Sequence, residues 1–364
     1  MTNLNTNPYY DDYDESKGFH QILFKPSLPV QARELTQLQS ILRNQIARFG
    51  SHIFKEGSVV IPGNVRADLS ICFVKLKTTS VDIESLLDYD VEGTSGLKAK
   101  IRAATAAKDT DPATLFVSYY NTGTAGEKVF GVNETLTIGD VIVGEYTVET
   151  VSSGATGGAA IAYINDGVFF VRGTFAKVNK QHAVISKYSP LPSCHVLLKI
   201  TESIVDYTED ETLLDTAQGS YNYAAPGADR LKIELDLVTL PLESTITNDY
   251  VELMRYNEGI LEEHLKYPKY NELEKSLARR TYDESGDYVV EGLRVSTREH
   301  LLSTINGGKY TAAQSGDASK FIYTVSPGKA YIRGFEQEII SNREIISDKA
   351  RGASHISTGS LSSG

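Results

Sequence analysis

The residues of this chain best suited to proton chemistry are two copies of the phrase Tyr-Asp-Glu-Ser, at 13–16 and 282–285, each setting two carboxylates side by side. Paired carboxyl groups flanking a bond are what glycoside cleavage requires, and their separation in space decides the mechanism. The other ingredients of catalysis are scarce. The seven histidines are scattered, and neither a Gly-x-Ser-x-Gly nucleophile elbow nor a His-Glu-x-x-His zinc signature occurs. Cys72 and Cys194 stand alone, without a Cys-x-x-Cys or nearby His-x3-His partner for a metal, and read as buried free thiols. The acid run from Asp206 to Asp215 lacks the residue order of a calcium loop and reads as a solvated loop. The stretch Ser152 to Gly158 is not followed by Lys-Ser/Thr, so it reads as a linker and not a phosphate cradle. The expectation is a chain that is not an enzyme, with no catalytic, cofactor-binding or metal site.

The charge balance points away from nucleic acid. A net charge of −11 without a Lys/Arg cluster offers nothing to a phosphate backbone. No apolar run approaches the roughly 18 residues that cross a bilayer, so membrane insertion is not expected. The polar, Asn-rich start resembles no secretion signal, which predicts that the chain stays where it is made. Protein partners are the expectation that remains.

The elements are announced by a phrase that recurs four times. Gly57 to Gly63, Gly167 to Gly173, Gly286 to Gly292 and Gly328 to Gly334 each enclose a β-branched or aromatic run between glycines six positions apart. The middle residues favour extended backbone, and the glycines permit bends or close approaches. The second and fourth copies match furthest, leading into Val184-Ile185-Ser186 and Ile345-Ile346-Ser347, and read as hairpins of one design. The intervals are too irregular for a solenoid or propeller. The predicted fold is mainly β with accessory helices (α+β), multidomain, built of repeated β-hairpin units with an inserted all-β module.

Residues 1–26 read as an extended docking arm. Tyr9, Tyr10, Asp11, Asp12, Tyr13, Asp14 and Glu15 offer rings and acids without the aliphatics to fold alone, so the arm is expected to order on a neighbouring subunit. Arg279 and Arg280 of another copy, or a basic patch on another protein, are its candidate receivers. An amphipathic helix is read over 27–50, with Ser27 as cap, Pro29 in the first turn and Gly50 as stop. Its stripe of Leu35, Leu38 and Leu42, with Ile41, Ile46 and Phe49, either packs on the β domain or pairs with its own copy. A β domain follows at 51–88 plus 166–243, interrupted by the inserted β module at 89–165. A helical segment is predicted over 244–281. Its first helix, Ser244 to Lys266, rests on the near-heptad spacing of Tyr250, Leu253, Asn257, Leu261 and Leu265; its second runs from Asn271 to Arg280, the two arginines suiting a last turn. A second β domain at 282–350 and a flexible tail at 351–364 complete the division.

Several long phrases carry a resemblance. Pro26-Ser-Leu-Pro-Val-Gln-Ala-Arg-Glu-Leu-Thr-Gln-Leu-Gln39, Phe49-Gly-Ser-His-Ile-Phe-Lys-Glu-Gly57, the run from Tyr270 to Tyr288, Ser326-Pro-Gly-Lys-Ala-Tyr-Ile-Arg-Gly334 and Asp348-Lys-Ala-Arg351 resemble an uncharacterised domain family of tailed-bacteriophage virion structural proteins. The resemblance covers nearly the whole chain except 89–165. It implies a structural protein of the tail, baseplate or fibre-attachment region, made in the host cytoplasm and located in the virion, and it carries over no catalytic residues. A tail/baseplate-to-fibre adaptor working through protein contacts is the expected role. Its partners would be other virion proteins and copies of itself, three favoured over two because fibres are commonly threefold. The alternative is an adhesin-like receptor-binding fibre protein that uses 89–165 as its binding face.

Overall fold

Every glycine-bounded phrase becomes a strand. The computed structural model describes residues 3–77, 82–124, 126–140, 144–303 and 306–349. Among them the chain forms two α-helices and six antiparallel sheets, which bears out a mainly β fold with accessory helices. The tail at 351–364 lies outside the described residues. The chain divides into two compact units between Leu273 and Glu274.

Unit 1 opens with helix α1 (Ala32–Ile53), then β1 (Ser58–Ile61) and β2 (Arg66–Asp68). A module follows: β3 (Cys72–Lys75), β4 (Asp90–Gly93), β5 (Lys98–Thr105), β6 (Thr114–Tyr119), β7 (Thr135–Asp140), β8 (Gly144–Glu149) and β9 (Thr156–Gly158). These strands make one sheet in the order β8-β7-β4-β5-β6-β3-β9. Along β5 Ala99 and Ile101 turn into the module core at alternate positions, until a bulge between Ile101 and Ala103 sends Ala103 to the other face beside its partner Phe116. The module has a core of its own, including Val74, Leu76, Leu115, Phe130, Leu136 and Ile138. Its sheet takes in β3, from the stretch read as part of the β domain at 51–88, because β3 pairs with β6 and β9.

Strands β10 (Ala160–Ile164), β11 (Gly167–Val171), β12 (Thr174–Val178) and β13 (Gln181–Ser186) then return to β1 and β2. They form two three-stranded sheets, β1-β11-β12 and β13-β10-β2. The first glycine phrase is thus the partner of the second. Over them lies the sheet β15-β14-β16-β17, built from β14 (Cys194–Val205), β15 (Arg230–Pro241), β16 (Tyr250–Asn257) and β17 (Ile260–His264). Val59, Ile164, Phe169, Val171 and Val178 share a core with Val196, Leu198, Ile200, Leu235, Leu237 and Leu253 of that sheet.

Unit 2 repeats the plan. Helix α2 (Glu272–Ser285), which starts at the boundary, leads to β18 (Tyr288–Gly292), β19 (Val295–Glu299), β20 (Lys320–Val325), β21 (Gly328–Ile332), β22 (Phe335–Ile339) and β23 (Arg343–Asp348). The sheets are β18-β21-β22 and β19-β20-β23, matching the two of unit 1 strand for strand. Register agrees to the residue: Val59 pairs with Phe169 ahead of an irregularity, and Val289 pairs with Ala330 ahead of the same irregularity. Both units contain a two-residue hairpin turn, Arg172-Gly173 and Arg333-Gly334, with φ positive at all four residues. Such turns match the twist of the strands they join. Each turn is held by a carboxylate beside the first strand, Glu56 accepting from the Arg172 amide and Asp287 from the Arg333 amide. The module occupies the connection between β2 and β10; in unit 2 the corresponding connection, between β19 and β20, spans only residues 300–319 and carries a 3-10 turn at Ala312–Gln314.

The helices differ from the sequence reading at four points. No helix forms over 244–266, where β16 and β17 stand instead. The turn Glu258-Gly259 has positive φ at both residues and Asn257 pairs with Ile260, so an Asn-Glu-Gly hairpin signal overrode the apparent heptad. Helix α1 starts after Gln31, which with Glu34 makes a capping box, while Ser27 sits at φ 69 outside it. Gly50 does not end α1; a side chain there would strike the ring of Phe170. Helix α2 runs on to Ser285, which places Arg279 and Arg280 in its middle and not in a last turn.

Candidate interaction surfaces

The arm lies on the helix of its own chain. Asp11 accepts from the Ser40 hydroxyl, Asp12 from the Gln37 amide and from Arg33 at 3.2 Å, and the Tyr13 hydroxyl from Asn44 at 2.7 Å; Glu15 pairs with Arg48. These helix positions recur three, four and seven apart, so they form one polar face that matches the extended arm residue by residue. Asp11 is buried there. Asp14 caps a short 3-10 turn through the Ser16 amide, Tyr9 donates to Asp229 at 2.5 Å, and Tyr10 is exposed. The expectation that the arm has nothing to fold against without a neighbour is thereby corrected. Its missing partner was a helix face rather than an aliphatic core.

With the polar face of α1 taken by the arm, the apolar stripe is what faces water. Leu35, Leu38, Leu42, Ile46 and Phe49 are 38–67% exposed, and only Ile41 and Gly50 of this helix are buried. Of the two readings of the stripe, burial against the β domain is not what the fold does. Arg279 and Arg280 are exposed on α2, the latter paired with Glu284 at 2.9 Å. The carboxylates of the two Tyr-Asp-Glu-Ser phrases thus include a turn cap, Asp14, and two arginine partners, Glu15 and Glu284.

The repeated glycines are bends and contacts. Gly57, Gly173, Gly286, Gly292 and Gly334 have positive φ. Gly63 and Gly167 lie backbone to backbone, and so do Gly292 and Gly328, with no room for a side chain between the strands.

A second exposed apolar area follows from the duplication. Val59 is 2% exposed and its counterpart Val289 is 60% exposed; Val171 is fully buried and its counterpart Ile332 is 53% exposed. Val65 packs into the unit 1 core, whereas Val295 at the matching place is open. Ala183 packs there too, and its counterpart Ile345 is open. The cause is the cover: β14 to β17 shield this face in unit 1, and no such sheet occurs among the described residues of unit 2. Sequence reasoning missed this face, because the phrases of copies three and four are as apolar as those of copies one and two.

One buried polar cluster is structural in its setting. His195 is buried on β14, its Nδ1 2.7 Å from Glu252 and its Nε2 3.0 Å from the carbonyl of Leu242. Arg255 donates to both oxygens of Glu252 at 3.0 Å and also pairs with Glu263. Burial pushes the Glu252 carboxyl up, but the hydrogen bonds from Arg255 and His195 outweigh it and hold it below the usual range. No local spacing could have revealed the cluster, since its members lie 57 residues apart and meet only through the pairing of β14 with β16. Cys194 beside it is buried, and desolvation pushes its thiol up to about 11. Cys72 is half-buried and shifted upward by the same cause. Among the described residues no group of three or more His, Cys, Asp and Glu side chains is placed to hold a metal ion, and no helix is long and apolar enough to cross a membrane.

No curated protein and no solved structure matches this chain. One family does, over residues 7–99 and 133–360, leaving out between them only 100–132, a narrower gap than the expected 89–165 and one inside the module. The chain therefore belongs to the family described as domain of unknown function DUF4815.

Proposed function

We propose that this chain is a structural protein of a tailed-bacteriophage virion, an adaptor that joins tail or baseplate to fibres through protein contacts. The observation that carries the reading is the bare face of unit 2. A sheet surface that is core in one copy of a duplicated unit and open in the other is suited to receive a protein in place of the missing cover. The phrases that resemble virion proteins support the particle as its location. Its partners are other virion proteins and further copies of itself, three favoured over two; the chain acts on no substrate and neither binds nucleic acid nor enters a membrane.

Immunogold electron microscopy of purified particles of the encoding phage, with antibodies against this chain, tests the proposal. Label on the tail, baseplate or fibre region is the expected result. Label absent from particles, with the protein found only in the soluble lysate, overturns it.

A further inference from the structure

We infer that the exposed face of α1 is the seam through which copies of this chain associate with one another. The inference rests on the reading of the chain as an assembly protein and names the interface. Three observations converge on a second copy as the occupant. First, the face repeats as a coiled-coil seam does, with Leu35, Leu38, Leu42, Gln45 and Phe49 at alternating intervals of three and four and Ile46 alongside. Second, the opposite face is already satisfied by the arm of the same chain, through Asp11, Asp12, Tyr13 and Glu15, which fixes the direction in which the apolar stripe points.

Third, the exposed face carries no charge. Its polar members are Gln39 and Gln45; Arg33 and Arg48 are turned to the arm, and Arg43 stands at the flank, one turn from both Gln39 and Ile46 and outside the seam positions. A helix face that stays in water is ordinarily rich in Lys and Glu. A face meant for a charged partner would carry the complementary sign. An uncharged, glutamine-bearing seam suits its own copy, because like meets like without repulsion and glutamines can hydrogen-bond each other across a symmetry axis.

The size is sufficient. Five large apolar side chains, each about half exposed, amount to roughly 500 Å² per copy, at the upper end of what a monomer usually leaves open. Two copies would then bury about 1,000 Å² in all, the threshold of a specific interface. Helix α1, with 22 residues, spans about 33 Å, or three heptads of contact.

Sedimentation velocity on the purified full chain, over a range of concentrations, measures the association directly. The wild type is expected to show the mass of two or three copies, and the double variant Leu38→Glu, Leu42→Glu is expected to dissociate with a constant about a hundredfold weaker, roughly tenfold for each seam position. Both positions are exposed, so an unchanged circular dichroism spectrum should accompany the loss, with the melting temperature lowered only by the stability that association itself contributed. Ile345→Glu, on the bare face of unit 2, serves as the control and should leave the mass unchanged. A wild type that stays monomeric at tens of micromolar overturns the inference, as does an oligomer indifferent to the seam variant. If Ile345→Glu alone dissociates the oligomer, the seam is refuted while the reading of an adaptor working through protein contacts stands.

Discussion

Two glycines with nearly the same backbone angle should differ in what a methyl group costs. Gly286 and Gly334 have φ of 65° and 79°. A Cβ at Gly286 meets nothing within 4 Å, whereas at Gly334 it would strike the backbone of Ala278 in α2. An L-residue in the left-handed region costs about 1–2 kcal/mol. Replacing glycine also narrows the unfolded ensemble, which returns about 0.4–1 kcal/mol. Gly286→Ala should therefore lose between about 0 and 1.6 kcal/mol. Gly334→Ala adds overpacking against a backbone that cannot rotate aside, about 1–3 kcal/mol more. For a unit of this size each kcal/mol moves the melting temperature by about 4–8 °C. Scanning calorimetry of the full chain should thus place the transition of unit 2 at least about 4 °C lower in Gly334→Ala than in Gly286→Ala. Equal losses in the two variants would refute the idea that the hairpin glycine is required by its contact with the helix and not merely by its dihedral angle.

Acid should weaken the Glu252 cluster in a defined direction. A carboxyl held below its ordinary value near 4.3 contributes stability that is complete above that value and is lost as pH falls through the lower folded one. Urea midpoints of the wild type should therefore fall below about pH 4 more steeply than those of Glu252→Gln, and parallel curves would show that the carboxylate contributes nothing. The Cys194 thiol, pushed up to about 11 by burial, should resist thiol reagents at pH 8 until the protein unfolds; rapid labelling of the native chain at that position would contradict its placement. Deleting residues 1–18 should lower the melting temperature and raise hydrogen exchange along the 33–48 face of α1, because the partners of Asp11, Asp12 and Glu15 lie there; unchanged exchange would mean that the arm does not rest on its own helix.

What was legible in the sequence is local. Glycines bounding β-branched runs set strand ends at 57–63, 167–173, 286–292 and 328–334, since the positive backbone angle that disfavours a side chain is a property of single positions. The amphipathic spacing of α1 was equally plain, because a helix repeats its faces within a few residues. The same locality misled at 244–266. Apolar residues near heptad spacing can serve a strand when a bulge and a hairpin turn reset the alternation, as they do between Val251 and Ile260. Tertiary structure alone decided the rest. Which glycine phrase pairs with which depends on strands more than 100 residues apart in unit 1, and only that pairing makes the duplication visible. The arm's acids found their partners on α1 by geometry that no spacing in the chain encodes. Most of all, Val59 and Val289 are alike in residue type and register; one is core because β14 to β17 stand over it, the other is surface because no such sheet occurs among the described residues of unit 2, and burial belongs to the neighbours that a residue acquires, not to its letter in the chain.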